Sequence, residues 1–347
     1  MPLESNPTPL ADTSPLIDGF GRVHSDLRIS VTDRCNIRCF YCMPAENVRF
    51  KPRSELLTFE EIHRFVRVVA QLGVRKVRLT GGEPLVRHRL DRLVAKLVSI
   101  PGIDDIALTT NGILLAEHAQ ALRDAGLKRL NISLDTLDPE TFRKISRRDG
   151  FERILEGIFA AQRVGFEKIK LNAVAIRGIT EPEIVPLARF ARNHGFELRF
   201  IEFMPLDADG GWDNEQVLTG DEIRRVLEEA IGPLEPVEGS DPSQPATDYR
   251  FVDSPVEGDG GIVGFINPVT HPFCGDCNRL RVTAEGQVRN CLFSIEEWDA
   301  RAVMRAGGDD DELANLVRAS IGAKRAGHGI NSDEFVKPQR AMFQIGG

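Results

Sequence analysis

Apolar positions along the chain follow two different periods, and the two take turns. Short β-rich runs fall at Leu27–Val31, Lys76–Thr80, Ile106–Thr109, Arg129–Ser133, Lys170–Ile176 and Leu198–Phe203. Between them lie helix-period segments with their own start and stop signals. Thr58-Phe59-Glu60-Glu61 is a capping box ahead of Ile62, Phe65, Val66 and Val69 on one face, with Gly73 as the stop. Asp138-Pro139-Glu140 places an N-cap acid before a first-turn proline, and Glu181-Pro182-Glu183 opens another helix in the same way. Phe151, Ile154, Leu155 and Ile158 form the apolar stripe of a helix that ends before Gly165.

Six strands alternating with helices predict parallel βαβ units and right-handed crossovers. Six units are two short of a closed eightfold barrel. The expected fold class is therefore α/β, an open partial (βα)6 TIM-like barrel with its functional residues at the C-terminal ends of the strands. Near residue 235 the rhythm stops, and Pro233, Pro236, Pro242, Pro245 and Pro255 mark a loop-rich connection to a second, smaller region. This divides the chain into a flexible tail (1–20), a barrel (21–235) and a C-terminal region (236–347).

Composition narrows the function classes. With 41% hydrophobic and 28% charged residues, the 347-residue chain is globular rather than disordered. The net charge of −8 argues against a protein that coats nucleic acid, while leaving room for a local basic pocket. No run approaches the roughly 20 apolar residues of a membrane helix. The first segment, with Pro2, Pro7, Pro9 and Pro15, does not read as a secretory signal. A cytoplasmic protein is expected, with neither membrane nor nucleic acid as partner.

The six cysteines change the picture most. Cys35, Cys39 and Cys42 crowd near one end of the chain, and Cys274, Cys277 and Cys291 near the other. Disulfide frameworks suit small secreted domains; two thiol trios in a large chain point to metal. The first trio, Cys-x3-Cys-x2-Cys directly after the first strand, can hold three corners of a cubane cluster and leave one iron open to a chelating substrate. A zinc site completed by His24 is the rival. The second trio, CxxC-x13-C, reads equally as half a zinc ribbon with His271 or as a second cluster with an open iron. Beside it, Arg279 and Arg281 stand at i and i+2 on a strand, a fork suited to phosphate oxygens or else a solvated basic strand.

A cysteine loop of this spacing after strand one, followed one βα unit later by Gly81-Gly82-Glu83-Pro84, resembles the radical S-adenosylmethionine (SAM) superfamily. The resemblance narrows to the GTP 3′,8-cyclase (molybdenum cofactor biosynthesis protein A) family through five further segments. They are Leu27 to Asn36, Leu79 to Leu85, Leu108 to Gly112, Asn131 to Asp135 and Arg199 to Met204, joined by Cys-x2-Cys-Asn-Arg-Leu-Arg and the final Ile345-Gly346-Gly347. It covers about Gly21 to the last residue.

The resemblance implies two [4Fe–4S] clusters, one per trio, the first chelating SAM and the second the guanine of GTP. It implies SAM contacts at Tyr41, Gly82, Ser133 and Met204. It implies GTP contacts at Arg28, Lys76, Arg78, Thr109, Lys170, Arg279, Leu280 and Arg281, and a role in the pocket for the tail residues Gly346 and Gly347. The implied reaction is a lyase-class cyclisation: a 5′-deoxyadenosyl radical takes the ribose 3′-hydrogen, and C3′ then attacks guanine C8. The product is 3′,8-cyclo-7,8-dihydro-GTP. A low-potential electron donor, the downstream cyclic pyranopterin monophosphate synthase and a homodimer are family expectations. Two rival readings are a radical SAM enzyme acting on a peptide, with the second trio on an electron-relay cluster, and a structural zinc protein that binds nucleic acid.

Overall fold

The computed structural model describes residues 9–253, 261–333 and 335–346. The first eight residues of the expected tail, Pro255 and Gly347 lie outside the described residues. Six strands, β1 (Asp26–Ser30), β2 (Lys76–Thr80), β3 (Asp105–Thr110), β4 (Arg129–Ser133), β5 (Lys168–Ala175) and β6 (Glu197–Glu202), are joined by six helices, two of them between β4 and β5. These are α1 (Phe59–Gln71), α2 (Leu90–Val98), α3 (Leu115–Asp124), α4 (Pro139–Ser146), α5 (Phe151–Arg163) and α6 (Ile184–His194). Local chemistry sets the boundaries. Thr58 Oγ1 accepts from the Glu61 amide at 3.1 Å while the Glu61 carboxylate accepts from the Thr58 amide at 2.7 Å, and Gly73 follows the helix at φ +97°.

Each inner strand has two unlike faces. Leu27, Ile29, Val77, Leu79, Leu108, Leu130, Ile132, Leu171, Leu198 and Phe200 pack in the main core. The alternate positions Arg28, Arg78, Thr109, Ser133, Asn172 and Arg199 line a cavity instead. Parallel strands buried on both faces are normally apolar throughout. The polar inner face makes the inside of this barrel a ligand chamber rather than a packed core.

The C-terminal residues extend the same sheet. After α7 (Gly220–Ala230) come β7 (Leu234–Pro236), β8 (Thr247–Phe251), β9 (Ile262–Ile266), β10 (Arg279–Val282), β11 (Gln287–Arg289) and β12 (Trp298–Asp299), then α8 (Ala300–Arg305), α9 (Asp310–Gly322) and α10 (Met342–Ile345). The twelve strands of the described residues form one sheet, in the order β12-β11-β10-β1-β2-β3-β4-β5-β6-β9-β8-β7. β10 pairs parallel to β1, and β9 parallel to β6. The (βα)6 unit thus gains a parallel strand at each edge, and antiparallel β8 and β11 lie outside these. β9 and β10 are not neighbours in this order, so the barrel stays open.

The described part of the N-terminal arm packs on the barrel. Leu10 and Leu16 are buried, the Leu16 amide donates to Leu72 O at 3.2 Å, and the Ala11 amide donates to Asp311 at 2.9 Å. Ile17 bridges Val23. Leu10 and Leu16 join the main core and anchor this arm to the barrel. No described helix is long and apolar enough to cross a membrane.

Candidate functional site

One cavity of about 310 Å³ runs through the open barrel, and both cysteine trios line it. The first trio follows the C-terminal end of β1. Cys274 and Cys277 precede β10, which runs parallel to β1, so they sit at the other end of the strands. Cys291 reaches the same end because β11 returns antiparallel to β10. The trios therefore face each other along the chamber.

The first loop is fixed by its backbone. The amides of Arg38 and Phe40 donate to Ser146 O (2.8 Å) and Ile145 O (3.1 Å) at the end of α4, and the Cys42 amide donates to Cys39 O at 2.9 Å. Tyr41 Oη donates to Asp135 Oδ2 at 2.6 Å, while Asp135 Oδ1 accepts from the Val174 amide at 2.8 Å. The loop is thereby tied to β4 and β5. Burial pushes Cys35 up to about 11, and pushes Cys39 and Cys42 higher, with nearby acids and thiols adding to it. Three half-buried thiols that resist ionisation need a bound cation to become thiolates. The donor set therefore fits an iron cluster, with all three thiols free.

Gly81 and Gly82 serve this loop. The Gly82 amide donates to Thr32 O at 2.8 Å and the Glu83 amide to Arg34 O at 2.7 Å. A Cβ on Gly82 would stand 2.4 Å from Arg34 O, and one on Gly81 2.5 Å from Thr32 O. The glycines thus allow backbone to lie against backbone just ahead of Cys35. Buried Glu83 accepts from Thr110 Oγ1 and from the amides of Asn111 and Leu85, locking the same corner; burial raises its carboxyl to about 7.

At the other end, Arg279 and Lys324 each place a nitrogen 3.4 Å from Cys277 Sγ. Burial alone would raise this thiol, but Arg279 and then Lys324 outweigh it and hold Cys277 at about 6. Burial raises Cys274.

Between the trios lies a row of like charge. Arg281, Arg28 and Arg78 are direct register partners across β10, β1 and β2. Arg279 and Arg199 join them on the cavity wall. Like charges directly opposite on a sheet are destabilising. Burial first, and Arg28 second, bring Arg78 down to about 9 and lower Arg281 further. Among the described residues, Arg28 Nε and Arg78 Nε have no hydrogen-bond partner. Such a row is stabilised by a bound polyanion.

The cavity brings together the six cysteines, Tyr41, Gly82, Ser133, Met204, Arg28, Arg78, Thr109, Arg279 and Arg281. Three sequence-expected contacts stand elsewhere. Lys76 begins β2 and pairs with Asp241 at 3.0 Å, and Lys170 pairs with Glu197. The side chain of Leu280 belongs to the core, because strand alternation turns it away from Arg279 and Arg281. Arg281 Nη1 donates to Gly346 O at 2.7 Å, and Met342 and Phe343 line the chamber. The zinc readings lose their histidines: His24 is buried against Asp18 at 3.0 Å, and His271 lines a separate cavity. Sequence reasoning missed Arg199, although its inner-face parity with Ile201 was readable. It also missed Asp135, inside a segment it had used, and Lys324, for which the sequence holds no signal.

An open α/β barrel with three cysteines on the loop after β1 defines a radical SAM protein, and the Radical SAM superfamily model matches residues 29–191. A second model, Molybdenum Cofactor Synthesis C, matches residues 196–330, taking in β6 to β12. The GTP 3′,8-cyclase of Rhodopirellula baltica is 54% identical over 342 residues, covering 98% of this chain and 94% of its own. That of Mycolicibacterium smegmatis is 44% identical over 341 residues, covering 98% and 94%. This chain belongs to the GTP 3′,8-cyclase family. Its fold is also similar to that of Streptococcus suis SuiB bound to S-adenosylmethionine, with a TM-score of 0.58 at 15% identity, covering 86% of this chain and 69% of that one. Membership implies a [4Fe–4S] cluster and SAM.

Proposed function

We propose that this chain cyclises GTP to 3′,8-cyclo-7,8-dihydro-GTP with two [4Fe–4S] clusters, one on each cysteine trio. The observation that supports it most is the in-register row Arg281–Arg28–Arg78 between the trios. A triphosphate laid along this row orients a nucleoside in the chamber, its base toward the second trio and its ribose toward the first. When bound, the first cluster and SAM supply the deoxyadenosyl radical that abstracts the ribose hydrogen. The protein's own part is to position and to exclude water. Tyr41 and Asp135 hold the first loop against β4 and β5. Arg279 and the row neutralise the triphosphate. Met43, Ala341 and Phe343 form a small apolar cluster with Cys35 and Cys42 packed against it, which shields that end of the chamber from water. A low-potential donor supplies the electron, and cyclic pyranopterin monophosphate synthase takes the product.

The test is anaerobic reconstitution followed by GTP, SAM and a strong reductant. Cyclised product and about eight irons per chain are expected. Cys35→Ala should abolish SAM cleavage, whereas Cys291→Ala should spare the first cluster and impair GTP binding. Colourless, zinc-loaded protein, or loss of all iron in both variants, would overturn the reading.

A further inference from the structure

The segment after α9 wraps the second trio and is itself pinned from the N-terminal side. Arg22, which pairs with Asp18 at 2.6 Å, donates to Cys274 O (2.6 Å), Ala326 O (2.8 Å) and Arg325 O (2.7 Å). One guanidinium thus joins the N-terminal arm, the Cys274 loop and residues 325–326. Lys324 stands at the base of this bracket and is 6% exposed. Its ammonium has three hydrogens and meets three acceptors: Asn290 O at 2.7 Å, Arg279 O at 3.0 Å and Cys277 Sγ at 3.4 Å. Asn290 immediately precedes Cys291, and Arg279 lies two residues beyond Cys277. The lysine therefore spans both segments that carry the trio.

A buried ammonium is costly unless an anion faces it. Here the ammonium faces Cys277 Sγ at 3.4 Å. We infer that Lys324 is a positioning residue of the second cysteine centre. Through the two carbonyls it sets the spacing of the Cys277 and Cys291 segments, and its bond to Cys277 Sγ raises the reduction potential of the cluster held there. The potential rises because a reduced cluster carries one more negative charge, which a buried cation and an N–H···S bond stabilise. The inference rests on the second cluster proposed above.

The experiment isolates that cluster in a parent carrying Cys35→Ala, Cys39→Ala and Cys42→Ala, and adds Lys324→Met or Lys324→Arg. In Lys324→Met, a chelator should strip the cluster about 10–100-fold more readily, and the midpoint potential should fall. Lys324→Arg keeps the cation and should bring the potential back toward the parent value. A lysine with only a structural role would weaken retention without moving the potential of the cluster that remains. An unchanged potential in Lys324→Met, or no recovery in Lys324→Arg, overturns the inference. Should Lys324→Met fail to fold, Lys324→Gln keeps a donor for the carbonyls without the charge and is judged by the same criterion. A parent with no cluster overturns the two-cluster reading and this inference together, whereas a cluster-bearing parent indifferent to Lys324 overturns this inference alone.

Discussion

Gly82→Ala should break the site by moving the first cysteine loop while leaving the barrel folded. The added methyl would stand 2.4 Å from Arg34 O, 2.6 Å from Arg34 C and 2.9 Å from Asp33 O. These are backbone atoms and cannot rotate away. Overpacking of this kind costs about 1–3 kcal/mol. Moving the strands apart also opens the Gly82–Thr32 and Glu83–Arg34 hydrogen bonds at 2.8 and 2.7 Å. Each contributes about 1 kcal/mol net, so the total reaches roughly 3–5 kcal/mol. The strain falls on residues 32–34, which lead directly into Cys35. A displacement of about 1 Å there is enough to cost on the order of 100-fold in turnover. The assay is iron content after anaerobic reconstitution, together with 5′-deoxyadenosine released from SAM by a strong reductant, with circular dichroism as the check on folding. The variant should keep its fold and the iron of the second trio, lose iron from the first and cleave SAM at least about 100-fold more slowly. Parental iron content and parental cleavage would refute the argument.

Three further outcomes follow from named contacts. Arg281→Ala should weaken GTP binding by about 1.5–3 kcal/mol in calorimetry while guanosine, lacking the phosphates, hardly responds; equal losses for both ligands would move this arginine out of a phosphate site. His24 is held at about 4, below its ordinary value, by burial first and Lys324 second. Its neutral form is therefore favoured in the folded state, so stability should be full above about pH 6.5 and decline as the pH falls toward 4. That amounts to about 2 kcal/mol between pH 7 and 5 in denaturant unfolding of the cluster-free protein, and His24→Gln should flatten the slope. Leu16→Ala should cost about 2–5 kcal/mol in the same unfolding measurement, since Leu16 is 1% exposed, whereas a free tail would register no loss.

Sequence by itself determined the local and the chemical parts of this protein. The capping box at Thr58 and Asp138 ahead of Pro139 act within a turn or two, so these helix starts were readable from neighbours alone, whereas Glu181-Pro182-Glu183 makes a 3-10 turn and α6 starts only at Ile184. Strand parity placed Arg279 and Arg281 on one face, and the cysteine spacing set out two trios of thiols. What adjoins what across the sheet is different. β9 and β10 join β6 and β1 through crossovers that no periodicity records. Hence the sequence could show a fork of two arginines but not the row that Arg28 and Arg78 complete. Nor could it tell that Lys76 meets Asp241 and Lys170 meets Glu197, because both lysines share the inner parity of the arginines that do line the chamber. The same holds for Lys324 and Arg22, whose acceptors lie 34 or more residues away apart from the local Asp18. Contacts across such separations are set by how the elements pack, and only the tertiary structure decides them.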